Sequence, residues 1–109
     1  MPYGITAYIK GHKLSDVQTA LDGLGSAVMM HSSQEVIIST SGHIIALTAM
    51  EKLVPRPSRP AVRLDVIVDS EENLRLVRKA IMDNASTPYS PDGILSTYKI
   101  ETLEPIAKE

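Results

Sequence analysis

An α+β fold, with an antiparallel sheet and two helices on one of its faces, is predicted by three features of the sequence. Ile5 to Lys10 and Val62 to Val68 each alternate apolar and polar residues with the period of a half-buried strand. Each is followed by a segment whose apolar residues recur at helical spacing. A further strand-like stretch, Ile94 to Leu103, follows the second of these.

In the first strand Ile5, Ala7 and Ile9 face the core, against Thr6, Tyr8 and Lys10. The helix after it runs from Leu14 to Leu24, with Leu14, Val17, Leu21 and Leu24 on one face. Ser15 and Asp16 are its expected caps, and Gly25 its stop. From Ser26 to Pro60 the reading stays open. Val28 to His31 and Glu35 to Thr40 are candidate strands, with Ser32-Ser33 or Ser41-Gly42 as turns. Ile44-Ile45 favour a strand, whereas Ala46 to Leu53 consists of helix formers. Pro55 to Pro60 holds three prolines and is expected to be an extended connector, not a central strand.

In the second clear strand Val62, Leu64, Val66 and Val68 point inward. Asp69 and Ser70 cap the next helix, with Glu72 as a capping-box partner, and Leu74, Val77 and Ile81 form its apolar stripe. Thr87 to Gly93 is a loop turning at Pro91-Asp92-Gly93, and one strand or two short ones close the fold. The order strand, helix, strand, strand, helix, strand is the ferredoxin-like βαββαβ plan. One domain, 1–109, is expected from the length.

The composition, 43% hydrophobic and 22% charged, is globular. With no Phe or Trp, the core has to be aliphatic, and Met29, Met30 and Met50 are read as its gap-fillers. The absence of Cys excludes disulfides, thiolate metal sites and a cysteine nucleophile. No basic region followed by an apolar stretch opens the chain, and no apolar run is long enough for a membrane span, so a cytoplasmic location is expected. A net charge of −2 gives no nucleic-acid footprint.

The catalytic inventory is thin. His12, His31 and His43 match no metal-ligand spacing and are read as surface imidazoles, and no nucleophile elbow surrounds any serine. No catalytic and no metal residue is therefore assigned. Neither phosphate-loop fingerprint is present. Arg56, Arg59 and Arg63 form a spaced basic cluster whose guanidinium forks suit phosphate or carboxylate, although a solvated loop that keeps an edge soluble is the simpler reading. Asp92-Gly93 is chiefly a turn whose free N–H groups could line an anion nest.

Ile9-Lys10-Gly11-His12-Lys13-Leu14-Ser15-Asp16-Val17, continuing to Ala20-Leu21 and Gly25, resembles the opening of the PII signalling proteins: a strand ending in Ile-Lys, then a Lys-Leu-x-Asp/Glu-Val-x-x-Ala-Leu helix ending at Gly. Val62 to Val68 is similar to that family's central strand, and Thr87 to Gly93 occupies the place of its Thr-Gly-x-x-Gly-Asp-Gly loop. The resemblance covers about two-thirds of the chain.

It implies a homotrimer of ferredoxin-like subunits that binds an adenine nucleotide between subunits and presents a mobile loop, here within 35–60, to a transporter, enzyme or regulator. Thr87, Asp92 and Gly93 would contact the nucleotide, with Arg56, Arg59 and Arg63 as additional basic groups. The family's basic residues are replaced at Ala61, Ile94, Pro105 and Ala107. The effector is therefore left open among ADP, AMP or another adenine nucleotide, a small anion, and none. Two alternatives stand beside the sensor: a nucleotide-independent trimeric adaptor of the CutA-like kind, and a small dimeric ferredoxin-like enzyme.

Overall fold

The computed structural model describes residues 1–39, 44–46, 58–88 and 93–108. Strand β1 spans Tyr3–Ile9, helix α1 Leu14–Gly23, β2 Met30–Ser39, β3 Ile44–Ala46, β4 Ser58–Val68, α2 Glu71–Ala85 and β5 Gly93–Lys99. Single 3-10 turns, Gly11–Lys13 and Gly25–Ala27, flank α1. All pairings are antiparallel, in the order β3-β2-β4-β1-β5. The architecture is α+β and compatible with a ferredoxin-like plan, the three-residue β3 being added at the outer edge.

The period-two pattern explains the core. Ile5 pairs with Val66, Ala7 with Leu64 and Ile9 with Val62, so their side chains form one apolar sheet face. Val17 and Leu21 of α1 and Val77, Ile81 and Ala85 of α2 pack onto that face. Each fully buried Leu, Ile or Val there contributes about 1.5–3 kcal/mol of hydrophobic stabilisation. Both helices lie over β1 and β4 and leave the same side of β2 to water, which is why His31, Ser33 and Glu35 there are polar and exposed.

Several expectations are corrected. The segment from Met30 to Ser39 is one strand, running through Ser32-Ser33. Pairing of Ser32 with Asp65 and Ser33 with Leu64 outweighs the turn preference of serine. Strand β4 begins at Ser58, so the proline-rich stretch is strand from 58 onward. Pro60 fits because β1 pairs with β4 only as far as Val62; beyond that point β4 has a partner on one side alone. Helix α1 is capped by neither Ser15 nor Asp16. It grows out of the 3-10 turn with Lys13 at the N-cap position, leaving both residues in the first turn.

Helix α2 is capped by Ser70, as expected, but the partner is Asn73 and not Glu72. The Ser70 hydroxyl accepts from the Asn73 backbone N–H at 3.1 Å, while the Asn73 amide donates to Asp69 at 2.7 Å. Met29 and Met30 are half-exposed and fill no gap in the core. Strand β5 is single and stops at Lys99, short of Leu103. Ile44–Ala46 is strand, whereas the possible helix over 47–54, Met50, His43, the turn at Ser41-Gly42 and the one at Pro91-Asp92 lie outside the described residues. No helix among the described residues is long and apolar enough to cross a membrane.

Candidate functional site

A cleft opens where β1 ends. The apolar alternation of β1 stops at Ile9, and Lys10-Gly11-His12 leads into the 3-10 turn before α1. Lys10, Gly11 and His12 form one wall, Pro60, Ala61 and Val62 of β4 the other, and Glu35 of β2 stands at the rim. The cleft has a volume of about 420 Å³, within the range of small-molecule sites. The Lys10 ammonium donates to the Thr87 hydroxyl at 3.5 Å, tying the end of β1 to the segment after α2. Lys10 and His12 supply basic groups and Glu35 an acidic one. A ligand matched to this lining carries an anionic group, a hydrogen-bond donor and some apolar surface.

The sheet face opposite the helices carries a polar network. The Thr6 hydroxyl donates to Asp65 at 2.8 Å and lies 3.1 Å from the Tyr98 hydroxyl. Asp65 also accepts from the Arg63 guanidinium at 3.0 and 3.4 Å. The hydrogen bond and the charge of Asp65 raise the pKa of Arg63 above the ordinary arginine value. Since the shift is upward, the stabilisation contributed by Arg63 is present at neutral pH and fades only as pH rises through the arginine range. Arg63 also lies 6.0 Å from the centre of the Tyr8 ring, at the outer limit of a cation–π contact.

Of the six residues expected at a site, none of those described lines the cleft, and two lie near its end of the sheet. Thr87 reaches Lys10, and Gly93 pairs with Ile9. Gly93 has φ +149°, and a Cβ there would lie 1.8 Å from the Tyr8 carbonyl oxygen, so close backbone packing alone demands glycine. Arg63 sits on the open face, paired with Asp65 and turned to a different task from the cleft. The backbone of Arg59 pairs with Ile38 in the β2–β4 ladder. Arg56, Asp92 and the side chain of Arg59 lie outside the described residues. No protein-family model matches the chain, and no curated protein matches it in sequence.

Lys10, His12 and Glu35 were not singled out as site residues by the sequence. A signal for the first two existed in the charged Lys10-Gly11-His12 step at the point where strand alternation stops. Glu35 carried none, because only its pairing with Val62 brings it to the cleft. Ala61 lines the cleft directly. Among the described residues, no three His, Asp or Glu side chains gather as a metal site.

Proposed function

We propose that this chain is a divergent PII-like signal-transduction protein: a ferredoxin-like βαββαβ subunit of a cytoplasmic homotrimer, regulatory and not enzymatic. It senses a small effector at the Lys10 cleft and passes the signal to a partner transporter or enzyme through the 35–60 region. The observation that carries this reading is the Lys10–Thr87 hydrogen bond. It joins the end of β1 to the loop after α2, which the family resemblance assigns to nucleotide contact. The core strand order β2-β4-β1-β5, with both helices packed on one face, supports the same assignment. An effector that bridges Lys10 and Thr87 would bias the neighbouring β4, and with it the strand β2 paired to it.

The lining favours a ligand of low negative charge. Ala61 in the cleft wall and Glu35 at its rim suit AMP, ADP or a small anion better than a triphosphate. The same substitution, together with Ile94 standing exposed where the family carries a lysine, favours the second reading, a nucleotide-independent trimeric adaptor of the CutA-like kind.

Thermal unfolding with ATP, ADP, AMP, cyclic dinucleotides and bicarbonate separates the two. A ligand at a hundred times its dissociation constant adds about 2.7 kcal/mol. For a chain of this size that raises Tm by roughly 10–20 °C. The sensor reading expects such a shift with one of these ligands and its loss in Lys10→Ala. A flat panel leaves the adaptor as the function.

A further inference from the structure

Two apolar features lie outside the cleft: the C-terminal segment, and a groove between α2 and β5 where the edge of the core, Ile9, Ile81 and Ala85, meets the more exposed Met82 and Leu95. Residues 101–108 form no helix or strand, and all are exposed, Ile106 completely. The segment leaves the sheet at the end marked by the Tyr3–Lys99 pair, where the Ile100 N–H donates to the Pro2 carbonyl at 3.0 Å. Pro105 restricts Glu104 to extended backbone. In polyproline geometry three residues make one turn, which puts Leu103 and Ile106 on the same side about 9 Å apart.

The groove, about 440 Å³, runs between the second half of α2 and the β1–β5 pair. Ile9, Ile81, Met82, Ala85 and Leu95 line it, and Arg78 is the charged residue among its described lining. From Arg78 to Ser86 the helix is about 12 Å long, enough for two anchors 9 Å apart.

We propose that this groove receives the 101–108 segment of a second copy of the chain, with Leu103 and Ile106 in the apolar floor and Glu104 between them meeting Arg78. Charge selects this occupant, because the segment places Glu104 between its two apolar anchors and Arg78 is the charged residue in the groove's described lining. Direction selects a second copy, because within one chain the segment departs beyond Pro2 and would have to reverse at once to reach its own groove. Insertion of one tail into the next groove is a head-to-tail contact, which closes into a ring when the rotation permits. The contact is independent of any effector and holds under either functional reading.

The chain has no cysteine, so introduced thiols report the contact directly. Met82→Cys and Ile106→Cys chains bearing different tags, coexpressed and oxidised, are expected to give a mixed-tag disulfide at least about tenfold above like-tagged pairs. Absence of that product, or a disulfide only within one chain of the double variant, overturns the proposal. Arg78→Glu is expected to raise the concentration for half-association about tenfold, and adding Glu104→Arg to restore it. Unchanged association in Arg78→Glu contradicts the contact. A trimer that persists undiminished after removal of 101–109 would refute this docking while leaving the trimeric sensor intact.

Discussion

Gly4 and Gly93 differ sharply in what a side chain would meet. A Cβ on Gly4 falls 2.3 Å from the Tyr98 ring, a movable group, whereas on Gly93 it strikes the backbone oxygen of Tyr8 at positive φ. Gly4→Ala should therefore displace Tyr98, break its contact with Thr6 and cost about 1 kcal/mol in chemical denaturation. Gly93→Ala should cost about 3 kcal/mol or more and loosen the β1–β5 pairing at that end. Equal losses would show that the backbone does not approach as described. Ser70→Ala removes the cap of α2 and should lower stability by about 1 kcal/mol. At this scale the sequence was only half legible. Thr87 and Gly93 were expected from their loop, but neither lines the cleft, and the geometry gives Gly93 a packing role. Glu35 could not be found, because the sheet brings it to the cleft from a part of the chain with no local signal.

Elements were legible wherever one face is dry and the other wet. Val62 to Val68 announces itself because Leu64, Val66 and Val68 are fully buried while Arg63 and Asp65 reach solvent. Leu64→Ala, made at the centre of that strand, should cost about 2–5 kcal/mol and leave the unfolding cooperative, as followed by urea titration. Strand β2 resisted reading for the converse reason. The helices do not cover it, so it buries little, and its serines and His31 resemble a loop until the β4 ladder is seen. Pro60 misled in the same way: the rule against proline in central strands holds only where both neighbours extend, and β1 does not extend that far.

At the scale of the whole molecule, the exposed apolar residues are what an assembly would cover. Ile94, Tyr98 and Met30 stand exposed on the uncovered sheet face, and Leu103 and Ile106 on the departing tail. A lone small subunit gains little from such exposure, whereas an oligomer buries it. In the proposed sensor reading, trimer formation and effector binding go together, the Lys10 cleft working inside an assembly. Native mass spectrometry of the purified chain with and without ADP tests it most directly. The account predicts a trimer mass that gains up to three ligands, and no gain in Lys10→Ala. A monomer that takes up no ligand at any concentration would contradict it.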